Sequence, residues 1–231
     1  MADELIRIDI VAVIPELLES PLNASILKNA QSKGLAKIEI HNLHDYADNK
    51  FRHIDDEPFG GAAGMIIQCY PVFSCIEKLK SERVYDEIIF MSPDGELLNQ
   101  SLANEFSLCR NIIILAGHYK GIDQRIRDTL VTREISIGDY VLSGGELPAI
   151  ILTDAIIRLL PGVIGDSESA LEDSFQIGLL EPPQYTRPAD FRGICVPEIL
   201  LCGNHKEIAL WRQDEALKKT MKRRPDLLKE L

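Results

Sequence analysis

Three short stretches combine glycine with apolar flanks in a way that could hold a ligand by its backbone. They are Ser92-Pro93-Asp94-Gly95, Gly117-His118-Tyr119-Lys120-Gly121, and residues 138–147. The third lies within residues 134–148, Glu-Ile-Ser-Ile-Gly-Asp-Tyr-Val-Leu-Ser-Gly-Gly-Glu-Leu-Pro, where three glycines and a proline join a strand-like run to an apolar helix-like run. Glycine allows tight turns and close approach of backbone to a ligand. An isolated glycine pair commonly does no more than end a strand, so the reading rests on the three stretches together. Glycine loops at strand ends suit an uncharged or zwitterionic ligand, such as an adenosine-containing cofactor, held through backbone donors and acceptors.

Other chemistries lack their signatures. Gly60-Gly61-Ala62-Ala63-Gly64 follows a polar loop instead of a strand, and the chain has neither a phosphate-loop lysine nor a dinucleotide fingerprint. There is no nucleophile elbow and no zinc-protease helix. The five cysteines, Cys69, Cys75, Cys109, Cys195 and Cys202, form no closely spaced pair of the kind a metal or redox motif needs. No metal-ligating set is assigned.

The elements that must position these loops alternate strand and helix. Apolar, β-branched runs at residues 5–14, 36–40, 87–91, 111–116 and 131–137 predict strands. Helical spacing predicts helices around Leu22, Ile26, Leu27 and Ala30, around Val72, Ile76 and Leu79, around Leu98, Leu102 and Phe106, and over residues 122–130 and 148–160. Residues 41–63 read as one long polar loop, and residues 92–95 as a turn that ends a strand. Such βα alternation implies an α/β fold with a mostly parallel sheet flanked by helices, whose ligands bind at the carboxyl ends of the strands. After residue 160 the composition turns to that of a linker, and Asn204 is a candidate cap for a last helix carrying Ile208, Trp211 and Leu217.

The chain has 231 residues, 45% hydrophobic and 26% charged, which fits a folded protein with one sizeable core or a main domain and a smaller one. No run is long and apolar enough to span a bilayer, and acids stand at the N-terminus where a signal peptide carries positive charge. A cytoplasmic protein with no membrane partner is expected. The formal net charge of -11 argues against nucleic acid, but Lys218, Lys219, Lys222, Arg223 and Arg224 form a local basic patch with no acid among them. The same patch also suits a solvated helix end that complements the helix dipole.

Three strings carry a sharper signal: Ile135-Ser136-Ile137-Gly138-Asp139-Tyr140-Val141-Leu142-Ser143-Gly144-Gly145-Glu146-Leu147-Pro148, then Leu-Leu-Glu-Pro-Pro-Gln-Tyr-Thr-Arg-Pro over residues 179–188, then Leu201-Cys202-Gly203-Asn204-His205. In these the chain resembles the bacterial tRNA (guanine-N1)-methyltransferase family, TrmD, over residues 8–228. The resemblance implies the knotted SPOUT class: an α/β fold with a deep C-terminal trefoil knot, plus a small helical C-terminal domain. It divides the chain into a knotted cofactor domain (1–161), a flexible linker (162–185) and a helical tRNA-binding domain (186–231).

By the same resemblance S-adenosylmethionine lies in the knot against Pro93, Gly95, Gly117, Tyr119, Ile137, Gly138, Tyr140, Leu142, Gly144, Gly145 and Pro148. Asp173 matches the family's general base and Arg158 the residue that stabilises charge on O6 of the guanine. Asp55, His205 and the basic patch are carried over as tRNA-binding. The implied substrate is tRNA with a guanosine immediately 3′ of the anticodon. The implied assembly is a homodimer whose partner completes the active site, with residues 163–174 loose until tRNA binds.

The chain departs from the family where Gly-Arg-Tyr-Glu-Gly is common and His118 and Lys120 stand instead. Contacts of those two side chains do not carry over. The family's use of Mg2+ stays open for this chain, because one candidate acid is missing. In the early loop Phe59 replaces a tyrosine and Ala62 a glycine. Two other readings remain at this point: another knotted RNA methyltransferase with a different target, or a non-catalytic RNA- or cofactor-binding protein.

Overall fold

A computed structural model describes residues 5–164, 174–176 and 178–229. The chain forms two compact units, Met1–Gly165 and Asp166–Leu231.

The first unit is built on five strands in the order β2-β1-β6-β5-β7, every neighbouring pair parallel. They are β1 (Ile6–Ala12), β2 (Ala36–Asn42), β5 (Glu87–Leu97), β6 (Asn111–Ala116) and β7 (Arg133–Ser136), while β3 (Asp55–Asp56) and β4 (Ile66–Ile67) form a separate antiparallel pair. All seven residues of β1 are buried, as befits an interior strand covered on both faces.

Alternation along the strands feeds two cores. Ile8, Ile10, Ile112 and Ile114 face α1 (Glu16–Leu22), α2 (Ser25–Ser32), α4 (Gln100–Ser107) and α6 (Glu146–Ile157). Val11, Ile88, Ile113 and Leu115 face α3 (Cys69–Glu82) and α5 (Gln124–Thr129). Each such isoleucine or leucine contributes about 1.5–3 kcal/mol on burial. Because β6, β5 and β7 are adjacent and parallel, the segments leaving their carboxyl ends converge on one edge of the sheet.

Three sequence expectations require correction. Residues 92–95 do not end a strand: β5 continues to Leu97, and Met91 and Glu96 both pair with Ile135, so the four residues between them bulge out. A proline fits there because a bulge needs no ladder donor. Residues 41–63 are not one loop, since they hold the 3-10 turn Leu43–Tyr46, stabilised by Asn42 accepting from the His44 amide, and strand β3. The helix expected through Leu22 and Ala30 is two helices. Pro21 lies in the last turn of α1, where it removes a backbone donor, and Ala24 is extended before α2 begins.

The sheet also buries a charge. Asp9, fully buried on β1, accepts two hydrogen bonds from Arg7 (2.8 and 2.7 Å), one from the Tyr85 hydroxyl (2.7 Å), and pairs with His41 Nε2 at 2.7 Å. Burial alone raises the carboxyl pKa, but the bonds from His41, Arg7 and Tyr85 outweigh it and hold it well below the usual range. The same burial, with the Asp9 charge beside it, pushes the Tyr85 hydroxyl upward.

In the second unit a short hairpin, β8 (Asp190–Phe191) and β9 (Ile194–Cys195), precedes α7 (His205–Arg223). Asn204 occupies the cap position of α7 without making a side-chain capping bond. Thr220 is buried; its hydroxyl donates to Ala216 O (2.7 Å) and accepts from the Leu180 amide (2.9 Å), which fastens the proline-rich segment to the helix.

A folded-state pKa depressed below the unfolded value stabilises the fold above the unfolded pKa of about 3.9, and that contribution is lost as pH falls further. Asp9→Asn is therefore expected to cost about 3–5 kcal/mol near neutral pH, the usual consequence of breaking a buried pair. Urea midpoints for the wild type and the variant should converge as pH falls below about 4. An equal gap at neutral and acid pH would show that the carboxylate charge is not what the variant removes.

Candidate ligand pocket at the sheet edge

The bulge of β5, the segment after β6 and the segment after β7 enclose a cavity of about 600 Å3. Its position follows from glycines at points of backbone contact. The Gly145 amide donates to Gly117 O at 2.6 Å, and His118 and Gly144 form an isolated antiparallel bridge. A Cβ at Gly145 would stand 2.8 Å from the Gly117 nitrogen and 2.9 Å from Ala116 Cα. Gly138, at φ +145°, has no room for a side chain beside the Tyr140 ring, whose hydroxyl donates to Ile137 O at 3.2 Å.

Of the eleven residues expected around a cofactor, ten line this cavity: Pro93, Gly117, Tyr119, Ile137, Gly138, Tyr140, Leu142, Gly144, Gly145 and Pro148. Gly95 does not. A Cβ there would lie 2.5 Å from the backbone of Glu134 and Ile135, so its glycine lets β7 close against β5.

Charged groups at the cavity are mostly neutralised in place. Arg127 lines it, pairs with Asp94 at 2.6 Å and with Glu134, and lies over the Phe90 ring. The carboxyl of Asp94 is held below its ordinary value, first by the Ser92 hydroxyl and then by Arg127. Glu146, at 1% exposure, opens α6; its Oε1 accepts from the Ile14 amide at 3.2 Å. Its Oε2 makes no hydrogen bond and faces His118 Nδ1, also unpartnered, at 3.6 Å. Burial, with Asp55 adding to it, raises the pKa of Tyr119.

Sequence reasoning missed Arg127, Phe90 and Ser136 of the lining. Only the pairing of Arg127 with residues 94 and 134, which periodicity does not reveal, would have found it.

The remaining predicted site residues lie elsewhere. Arg158 caps the far end of α6 and does not line the cavity. The 12 residues of α6 put about 18 Å between its ends. Asp173 falls outside the described residues, as does most of the expected loose segment. Asp55 is on β3.

In the second unit His205 lines a separate cavity with Tyr185, Arg187 and Arg212. Within the basic patch, Lys218 is bound to Asp214 (2.6 Å) and Glu215 (3.0 Å), Lys219 to Glu181 O (2.8 Å), and Arg224 to Asp226 (2.6 Å), while Lys222 and Arg223 are exposed. No helix among the described residues is long and apolar enough to cross a membrane.

Fold and site together define a parallel α/β protein with a glycine-lined, largely charge-compensated candidate ligand pocket formed by the bulge of β5 and the segments after β6 and β7. The family model described as tRNA (Guanine-1)-methyltransferase TrmD matches residues 6–230. A Flavobacterium johnsoniae protein is 60% identical over 224 residues, covering 97% of this chain and 99% of its own length. Relatives from Chlorobaculum tepidum (58% over 222 residues, 96% of each chain) and Bacteroides thetaiotaomicron (58% over 224 residues, 97% of this chain and all of its own) are equally close to full length. All three are named tRNA (guanine-N(1)-)-methyltransferase. The chain belongs to the TrmD family.

Because the atoms facing Gly145 are backbone and cannot step aside, Gly145→Ala is expected to lower stability by about 1–3 kcal/mol, measured by urea unfolding. Hydrogen exchange at the residue 145 amide should accelerate as the bond to Gly117 O loosens. Unchanged exchange there would mean that the two loops are not held by this contact.

Proposed function

We propose that the protein transfers the methyl group of S-adenosylmethionine to N1 of the tRNA guanosine immediately 3′ of the anticodon. The observation that carries this reading is the pocket: in a chain of the TrmD family, ten of the eleven residues expected at the donor line one cavity. Its volume of about 600 Å3 lies within the ~300–1,000 Å3 usual for small-ligand sites. Glycine at 117, 138, 144 and 145 leaves room for a purine to lie close to the backbone, while Ile137, Leu142 and Pro148 offer apolar walls. These residues fit an adenosine attached to a short zwitterion. When bound, the donor supplies a methyl group activated on a sulfonium.

The chain's own residues would do the rest. N1 of guanosine carries a proton at neutral pH and attacks poorly until it is removed, so the reaction needs a base within hydrogen-bond reach. Asp173 is assigned that proton. Its removal spreads negative charge onto O6, where the Arg158 guanidinium is assigned to stabilise it. The target base must leave its stack to reach the donor, and the second unit, with His205, Lys222 and Arg223, would hold the tRNA, aided by Asp55 on the first.

Two features support an active site completed by a second copy. Arg158 lies a full helix length from the Gly145 end of α6, and α6 leaves Leu147 (50%) and Ile151 (46%) exposed one turn apart on an otherwise apolar helix. A helix apolar nearly all round calls for cover on more than one side. The passage of Gly144 and Gly145 against the backbone of residues 116–117 supports the trefoil knot.

Incubation with labelled S-adenosylmethionine and tRNA transcripts differing only at the guanosine and its 5′ neighbour is expected to give product solely where the guanosine is present. Asp173→Ala should lower the rate about 10²–10⁴-fold, the usual contribution of a general base, with little change in donor affinity. A normal rate in that variant would refute the assigned base. Sedimentation at micromolar protein should show a dimer, and a fully active monomer would remove the shared site.

A further inference from the structure

Among the described residues, four acidic or basic side chains line the cavity: Asp94, His118, Lys120 and Arg127. Three already have an ionisable partner within 4 Å. Arg127 is held by Asp94 and Glu134, and His118 turns Nδ1 toward the buried Glu146 carboxylate. Lys120 is the exception, for among the described residues its ammonium makes no ion pair or hydrogen bond. It is nonetheless seated. Its stem crosses Gly64, where φ is +98° and a Cβ would stand 2.8 Å from Lys120 Cγ, and its amide donates to Met65 O at 3.0 Å. The strand that follows is pinned as well, since the Ile67 amide donates to Gly121 O at 3.0 Å. Among the described residues the pocket thus combines a glycine-rich neutral floor with a single uncompensated lysine on a fixed loop.

We propose that the Lys120 ammonium binds the carboxylate of the donor's methionine moiety. This rests on the reading of the cavity as the donor pocket and adds the group that recognises the amino-acid end. A zwitterionic tail entering this cavity meets one cation free to pair with its carboxylate, because moving Arg127 would strip Asp94 and Glu134 of their partner. The adenosine end needs no such charge and is left to the backbone of the glycines. Recognition is therefore split: neutral contacts select the nucleoside, and Lys120 selects the charged tail.

Calorimetric titration separates the two halves, using S-adenosylhomocysteine, which has the tail, and 5′-methylthioadenosine, which lacks it. Lys120→Met is expected to weaken S-adenosylhomocysteine roughly tenfold or more, the worth of one charge-assisted hydrogen bond, and to leave 5′-methylthioadenosine unchanged. Lys120→Arg should recover most of the loss, and added salt should narrow the gap between wild type and Lys120→Met. Equal weakening of both ligands would overturn the proposal by showing a change of pocket shape. Weakening of neither would also overturn it, and a fall in tRNA affinity in that case would reassign Lys120 to a phosphate. A wild-type protein that binds neither ligand would remove the donor-pocket reading itself, whereas loss confined to the Lys120 arm leaves that reading standing.

Discussion

The fold depends on a place where two backbones touch with no side chain between them. Gly145 meets residues 116–117 closely enough that its amide bonds Gly117 O at 2.6 Å and a single methyl group would collide. This contact fixes where α6 begins. From there α6 carries Ala149, Leu152, Ile156 and Ile157 into the core shared with β1, β6 and the helices of that face. The apolar burial that stabilises the unit and the glycine contact that shapes the pocket are therefore parts of one construction. A close-packed core transmits small displacements, so the pocket cannot be altered at Gly145 without cost to the core.

Electrostatics divide along the same lines. Inside the sheet, Asp9 is buried only because Arg7, His41 and Tyr85 satisfy it. At the pocket, Arg127 lies between Asp94 and Glu134, and its guanidinium is raised in pKa chiefly by the Glu134 hydrogen bond. The protein can be strongly acidic overall and still belong to a family that acts on tRNA, because phosphate recognition is a matter of local cations. The second unit narrows that further. Lys218, Lys219 and Arg224 make contacts within the protein, so among the described residues the five-residue patch presents two of its side chains, Lys222 and Arg223, without such engagement.

What was legible in the sequence followed from period and from glycine. The strands of residues 5–14 and 111–116 were readable because interior parallel strands are continuous runs of β-branched residues, and the three loops that surround the cavity because glycine is expensive unless used. What was not legible depended on partners distant in sequence. Residues 92–95 carry every local mark of a turn, yet the neighbouring β7 pairs on both sides of them and makes them a bulge. Gly95, expected at the donor, does not line the cavity, and its missing side chain leaves the gap into which β7 fits. Arg127 gave no signal at all, since its meaning comes from residues 94 and 134 meeting it in space. The helix break after Pro21 was visible in principle, but periodicity in Leu22 to Ala30 masked it.

α6 states the remaining requirement most directly. Its buried residues, Glu146, Pro148, Ala149, Leu152, Thr153, Ile156 and Ile157, occupy one side, and Thr153 is tolerated there because its hydroxyl donates to Ala149 O at 2.7 Å. Leu147 and Ile151 occupy another side and stay exposed. Selection for a helix that only closed one core would place polar residues at those positions, since an exposed leucine and isoleucine one turn apart add nothing to the fold of a single chain. The pocket lies at the amino end of this helix and Arg158 at its carboxyl end. The proposed donor loops and the proposed O6-stabilising arginine stand a helix apart with an apolar stripe between them, the arrangement expected if the proposed site is completed by a second copy. In that proposal the glycine contact that opens α6 sets the frame of the donor half.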